Sequence, residues 1–515
     1  MPKIHDTLLL SRLVWSDLKQ NDFKFVKKHS DFPMKLIGSH SLMAWGLRLN
    51  NHKQQYEGGF DLWSDEMQKY CEQDTYANLT LYQKIMSKVP SDESVELEHE
   101  FAHIIRNMEN HGFHFDETKA LALLAKLQKR KAELETALQT AFPPWEIKER
   151  FVPKVNNKTR GYVKGVPTYK VKQIVFNPAS RDHIADRLQR VHGWKPTEFT
   201  ASGKPKVDEE VLQDLDYPEA KTLVEYLLIN KRVGQLATGQ NAWLKLCRNG
   251  RIHGQVITNG AATGRCTHNR PNIAQVPRVG APYGEECRAL FHAPKGYRLV
   301  GADLSGLELR CLAHYMAKFD DGAYAKEVVE GDVHTANQKA AGLPSRNNAK
   351  TFIYGFLYGA GPAKIGAIVG GTEAEGRKLI NKFLKSTPAL KKLREAVAHA
   401  VKKNGHLKGI DGRILPIRSE HAALNTLLQS AGAVLSKKAT VILYENLTKL
   451  GYVWGDDYAF VAHIHDELQI QAREDIADIV GQEAVKAFEQ AGEYYDFRCP
   501  ITGEYKVGQN WAETH

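Results

Sequence analysis

Residues 458–472 read YAFVAHIHDELQIQA, and the reading of this stretch decides the fold. Phe460, Ala462 and Ile464 alternate with Val461 and His463; Leu468 and Ile470 alternate with Gln469 and Gln471. The period of two predicts two strands joined by a tight turn, with His465, Asp466 and Glu467 at the bend. Adjacent carboxylates are poor turn chemistry, because a hairpin tip favours residues that reach positive φ without strain. A divalent cation with a phosphate behind it would explain charges kept there. Taken alone, the segment reads more simply as an exposed acidic turn.

A second stretch changes that balance. Residues 297–316 read YRLVGADLSGLELRCLAHYM. Leu299, Val300 and Ala302 predict a short strand ending at Asp303, and Leu304 to Gly306 a turn. Leu307, Leu309, Leu312, Ala313 and Met316 then recur at helical spacing. Asp303 and Asp466 are thus both expected at strand ends. Two such carboxylates can hold two divalent ions about 3.5–4 Å apart, the arrangement that serves in-line phosphoryl displacement.

The third stretch is SRNNAKTFIYGFLYGAG, residues 345–361. Ser345 is a plausible N-cap after Pro344. Arg346, Lys350, Tyr354 and Tyr358 are spaced by four and share one helix face. Two cations on one stripe suit a triphosphate, and two tyrosines continuing it suit a sugar and base. In isolation this is a solvated cationic patch; beside two Asp-bearing strands it reads as a nucleotide site.

Together the three stretches resemble family A (DNA polymerase I-like) DNA polymerases, and within them the replicative enzymes of short-tailed, T-seven-type bacteriophages. DLSGLELR resembles the family's first palm motif, RNNAKTFIYGFLYG its fingers helix and HDE its second palm motif. The resemblance implies an α+β right-hand fold, with a palm of antiparallel sheet and helical fingers and thumb. It implies a partial exonuclease-like α/β domain at 1–94, a thumb at 95–252, a first palm part at 253–330, fingers at 331–412 and a second palm part at 413–515. The implied activity is template-directed addition of deoxynucleotides to a primer 3′-hydroxyl, with primer-template DNA and deoxynucleoside triphosphates as partners. Asp303, Asp466 and Lys350 are the expected catalytic residues. The expected ligands of two Mg²⁺, for which Mn²⁺ can substitute, are Asp303, Asp466 and the Leu304 carbonyl. Arg346, Lys350 and His334 are expected on the phosphates, and Tyr354 at the sugar. Arg265 matches the family's minor-groove arginine. Tyr358 and His465 are grouped with the DNA contacts.

Two rival classes are a single-subunit RNA polymerase and a non-catalytic DNA-binding relative. Glu308 argues against the first, because its carboxylate and a neighbouring tyrosine would crowd a 2′-hydroxyl. The intact set Asp303, Asp466, Arg346 and Lys350 argues against the second, because binding alone does not need all four. Asn425 and Gln429, four apart in a predicted helix, can read the O2 and N3 acceptors that every correct pair presents in the minor groove.

Outside these motifs the chain is less explicit. YCEQD places Tyr70 and Asp74 one helical turn apart, like the last motif of a 3′–5′ exonuclease. The family's other acidic exonuclease motifs have no counterpart, and one carboxylate cannot offset two divalent ions. Exonuclease activity is therefore not expected of this chain alone; a separate polypeptide supplying the missing half, its loss in evolution and a truncated sequence all stay open. Asp116 is a predicted cap of a helix with a stripe of Leu121, Leu124, Leu127 and Leu134. Residues 142–175 carry eight Lys or Arg against Glu146 and Glu149. The T-seven-type enzymes carry a longer insertion here that binds host thioredoxin as a processivity factor. The shorter segment points to direct phosphate contact instead of a thioredoxin-type factor.

The 515 residues suggest roughly three domains. A net charge of +10 fits an anionic partner. The six cysteines are scattered, with no CxxC pair, which gives no sign of a zinc site or disulfide framework. No apolar run reaches membrane-spanning length. The cytoplasm of an infected bacterial host is the expected location.

Overall fold

The computed structural model describes residues 4–29, 31–51 and 56–515. The chain divides into two compact units: Met1–His114 with His253–His515, and Phe115–Ile252. The first begins with helix α1 (Thr7–Val14), whose N-terminus is capped by Asp6. Helix α2 (Asp65–Met86) and helix α3 (Asp92–His111) follow. Leu10, Leu13, Trp45, Leu81 and Ile85 make a small core of their own.

Helix α3, which spans residue 95, belongs to the first compact unit. Its Leu97, Phe101, Ile104, Ile105 and Met108 are buried in the main core of the first unit. The apolar stripe of an amphipathic helix goes where it finds a matching surface, so the second unit starts only at Phe115.

That unit opens with helix α4 (Glu117–Ala141), capped by Asp116, whose Oδ1 accepts from the Lys119 N–H at 2.9 Å. The buried stripe is Ala120, Leu123, Leu127, Leu134 and Leu138. The stripe read from Leu121 was misplaced: Leu121 is exposed. It lies two positions, about 200°, from Leu123 and faces outward. Strands β1 (Trp145–Phe151) and β2 (Thr168–Ile174) form an antiparallel ribbon. Helices α5 (Arg181–His192) and α6 (Pro218–Val233) complete the part that matters here. α6 packs along α4, and Arg130 grips Glu225 with two hydrogen bonds of 2.7 and 2.9 Å.

Back in the first unit, β3 (Gln255–Ile257) and β4 (Thr267–Asn269) pair as a hairpin. Strand β5 (Tyr297–Leu304) runs into helix α7 (Leu307–Asp320). Helices α8 (Val333–Ala341), α9 (Arg346–Leu357), α10 (Glu373–Ser386) and α11 (Pro388–Asn404) follow. A short hairpin of β6 (His406–Lys408) and β7 (Ile414–Pro416) leads to the long helix α12 (Glu420–Lys449). Strands β8 (Tyr458–Ile464) and β9 (Glu467–Arg473), helix α13 (Ala477–Tyr494) and strand β10 (Gly503–Gly508) close the chain.

The sheet that matters is antiparallel, in the order β8-β9-β5-β10. All but one residue of each of β8 and β9 is buried, so both faces of the hairpin are covered. α13 packs on β5, β9 and β10, and α3 packs on β8. The turn is tighter than the sequence reading had it. Only His465 and Asp466 lie outside the strands, with His465 at φ 58°, and Glu467 is already the first residue of β9.

Candidate active site

The sheet register brings four acids to one edge. Asp303, next to last in β5, lies opposite Glu467 of β9 on one side and Glu504 of β10 on the other. Asp466 precedes Glu467, and its carbonyl accepts the Leu304 N–H at 3.1 Å. Backbone bonds therefore tie the two strand ends together. Burial, then the charges of Asp466 and Glu467, push the Asp303 carboxyl up to about 7. Burial raises Asp466 as well.

Glu467 behaves in the opposite way. Burial opposes its ionisation, yet neighbours outweigh that and hold it below the usual range. The Trp511 Nε1–H donates to it at 2.6 Å, His515 Nδ1 lies at 3.1 Å and Arg288 at 3.8 Å. Arg288 also stacks over the Trp511 ring, 4.5 Å from its centroid. Glu467 is thus compensated by protein; Asp303 and Asp466 carry charge that the protein leaves largely unmet.

A hard divalent cation fits that donor set. Among the described residues, no group of three or more His, Cys, Asp or Glu side chains could hold a metal ion. Two carboxylates leave most ligand positions of such a cation to other groups. That is how Mg²⁺ is usually held, with substrate phosphate and water supplying the rest.

Helix α9 presents the opposite charge. Ala349, Phe352, Ile353 and Phe356 are buried, and Phe352 and Phe356 pack edge-on against Phe383 of α10 at 5.2 and 5.5 Å. Burying that face turns the other outward, so Arg346 and Lys350 are exposed and Tyr354 is half-buried. Ser345 caps the helix as expected, accepting the Asn348 N–H at 3.1 Å. Arg346 is held by Asp332 at 2.9 Å, a partner the sequence reading missed. The same Asp332 caps α8 through the His334 and Thr335 N–H groups. The His334 ring lies 6.3 Å from that of Tyr354. Burial, then Arg346 and Lys350, lower its pKa. Tyr354 is pushed up by burial, then by the charges of Glu308 and Asp466. Those charges put Tyr354 within electrostatic reach of Glu308 and Asp466.

Glu308, in the first turn of α7, accepts the Tyr358 hydroxyl at 2.5 Å and meets Arg265 at 3.4 Å. Its tyrosine neighbour by hydrogen bond is Tyr358. Arg265 rides on the loop between β3 and β4, and that loop leans on a buried network found only in the structure. Arg413 binds Asp411 at 2.6 Å and Glu98 at 2.8 Å, and Lys437 binds Glu98 at 2.6 Å. All four side chains are buried. Arg413 also donates to Asn259 at 3.3 Å, on the Arg265 loop. A Cβ at Gly264, φ +80°, would collide with the same guanidinium. The signal available beforehand was a lysine, Lys437, inside the apolar run AGAVLSKKATVIL.

Asn425 and Gln429 stand one turn apart on α12, both half-buried, while His465 is exposed at the hairpin tip. Tyr70 and Asp74 stand one turn apart on α2, with the Tyr70 ring 5.5 Å from Tyr56 and 6.2 Å from Phe60.

Comparison with known proteins agrees with this geometry. A model of the family described as DNA polymerase family A matches residues 155–513. The chain is 41% identical to the DNA-directed DNA polymerase of Enterobacteria phage T3, over 99% of this chain and 87% of that protein. It is 40% identical to the DNA-directed DNA polymerase of Escherichia phage T7, with the same coverage. The POL domain of Pol1 from M. smegmatis, solved with DNA primer-template and dNTP, shares the fold at TM-score 0.73. It is 17% identical, over 99% of this chain and 82% of that one. The chain belongs to the family A DNA polymerases.

Proposed function

We propose that this polymerase adds deoxynucleotides to a primer 3′-hydroxyl at the edge formed by Asp303 and Asp466, facing the α9 cations. The observation that carries the reading is the register. Asp303 and Asp466 stand on bonded strand ends, and the Asp466 charge acts on Tyr354, which shares its helix face with Arg346 and Lys350.

Asp303, Asp466 and the Leu304 carbonyl would hold two divalent cations, Mg²⁺ or Mn²⁺, which lower the pKa of the primer hydroxyl and neutralise charge on the reacting phosphate. Glu467, held by Trp511, His515 and Arg288, keeps the first residue of β9 in place and with it Asp466. Arg346, Lys350 and His334 neutralise charge on the leaving pyrophosphate. Tyr354 sits against the sugar. Glu308, fixed by Tyr358, occupies the space of a 2′-hydroxyl. Arg265, Asn425, Gln429 and His465 contact the primer-template. Correct pairs select themselves by allowing the α9 face to close, an induced-fit filter.

Tyr70 and Asp74 offer one carboxylate, too little charge for a two-metal exonuclease. The chain alone is expected to release no nucleotides from single-stranded DNA; a complementing polypeptide would restore proofreading. No helix of the described residues is long and apolar enough to cross a membrane. The setting we infer is phage DNA replication in the host cytoplasm.

Primer extension with deoxy- and ribonucleotides compared side by side tests the reading. Extension with deoxynucleotides alone is expected. Extension with ribonucleotides would make the chain an RNA polymerase, and duplex binding without extension would make it a non-catalytic relative.

A further inference from the structure

The β1–β2 ribbon is the feature that catalysis leaves unused. Its base is anchored within its own unit. The Arg187 guanidinium stacks over the Trp145 ring at 3.8 Å, the His183 ring meets that indole edge-on at 5.4 Å, and Phe142 packs on Phe176 at 4.8 Å. Beyond the base, the strands are exposed residue after residue. The tip is nonetheless built. The Asn156 Oδ1 accepts the Lys164 N–H at 2.7 Å, Asn157 and Tyr162 form a bridge, and Phe151 meets Tyr162 edge-on at 5.0 Å.

A bare two-stranded ribbon is marginal unless something covers it. Lys148, Arg150, Lys154, Lys158, Arg160, Lys164, Lys170 and Lys172 are all exposed. Among the described residues, no carboxylate is in ion-pair contact with any of them. Glu146 is engaged by Gln173 at 2.8 Å, not by a cation. The register distributes the charge. Lys148 faces Val171 and Arg150 faces Tyr169 on one side; Ile147 faces Lys172 and Glu149 faces Lys170 on the other. Alternate residues on a strand stand about 6.7 Å apart, so each side presents a short row of cations. Tyr169, 60% exposed, interleaves with them.

We propose that this ribbon is a second DNA-holding surface, an arm whose cations lie on the phosphate backbone of the primer-template duplex. The inference rests on the polymerase reading for the identity of the polyanion. Eight unpaired bases against two acids complement a phosphate backbone. Each neutralised phosphate releases counterions, so the arm's contribution is readable as salt dependence.

The test measures duplex affinity against salt for the full chain and two variants. One carries Lys148→Gln, Arg150→Gln, Lys170→Gln and Lys172→Gln; the other carries Lys148→Glu and Lys172→Glu. All these positions are exposed, and circular dichroism checks that each variant folds. If about three of the four cations contact phosphate, the slope of log affinity against log salt falls by roughly 3 in the first variant. It falls further per residue in the second. An unchanged slope in both variants overturns the proposal, as does a slope lost only with single-stranded DNA. Affinity for a purified thioredoxin-type protein that the substitutions abolish, with the DNA slope intact, would make the ribbon a protein-docking surface. Primer extension on the same samples separates the two readings. No extension by the unmodified chain defeats the polymerase reading, whereas extension with an unchanged slope defeats the arm alone.

Discussion

Asp303 and Asp466 sit on backbone that cannot shift without breaking sheet hydrogen bonds, whereas Arg346 and Lys350 sit on exposed side chains of one helix. The acids are fixed by register: Glu467 opposite Asp303, and Leu304 bonded to the Asp466 carbonyl. The cations are fixed only by the buried aromatic face of α9, and Arg346 is occupied by the exposed Asp332. The difference teaches a division of labour. The sheet edge holds charge in place before anything binds, while the α9 face holds charge that can move to the substrate. Substitutions in the two regions should therefore fail in different ways.

The largest effect is expected at the sheet edge. Asp303→Asn should lower the single-turnover extension rate by about a thousandfold or more, on the order of 4 kcal/mol. The melting temperature should not fall, because a neutral amide replaces a carboxylate flanked by two others. A melting temperature that drops with activity would mean the acid is structural. Lys350→Ala comes next. Removing one preorganised cation from a transferring phosphoryl group costs roughly a hundred- to a thousandfold. Rapid-quench rates with saturating nucleotide should show it in kcat, and a loss confined to KM would say that Lys350 only captures substrate.

Tyr354→Phe is a specificity change. A phenol facing the sugar can fill the place of a missing 3′-hydroxyl, and losing that partner costs about 1–3 kcal/mol. The ratio of dideoxy to deoxy incorporation should then fall by roughly one to two orders of magnitude. Equal ratios in both proteins would mean that Tyr354 does not reach the sugar. The smallest effect is at Asp332→Asn, which keeps a capping side chain but releases Arg346. Both partners of that ion pair are about half exposed, so solvent screens it and releasing it changes little. The KM for deoxynucleotide should fall by no more than about fivefold. A rise would show that Asp332 positions Arg346 rather than competing for it.

The parts legible in the sequence were those carried by local spacing. Period two around His465 and the apolar run ending at Asp303 pointed to the hairpin and the third strand, while their joining in one antiparallel sheet followed from the family resemblance. The four-residue spacing from Arg346 gave the α9 face. Register and long-range partners were not legible. Glu467 was read as a bend residue, and its ties to Arg288, Trp511 and His515 need two distant segments. The Arg413 network was missed because its hydrogen-bonded partners lie 315 residues apart in the chain, from Arg413 to Glu98. Leu121 was assigned to a buried stripe because leucines recur densely on α4, and only packing against α6 picks out Leu123. Nor does anything in α3 itself say which core its apolar face joins.

The central claim is that Asp466 performs chemistry rather than binding. Asp466→Ala should abolish extension of a primer by all four deoxynucleotides, while affinity for the same duplex, measured by anisotropy at fixed salt, stays within about threefold of the unmodified chain, because phosphate contacts elsewhere carry the affinity. Extension near the unmodified rate, or a collapse of duplex affinity alongside lost activity, would contradict it.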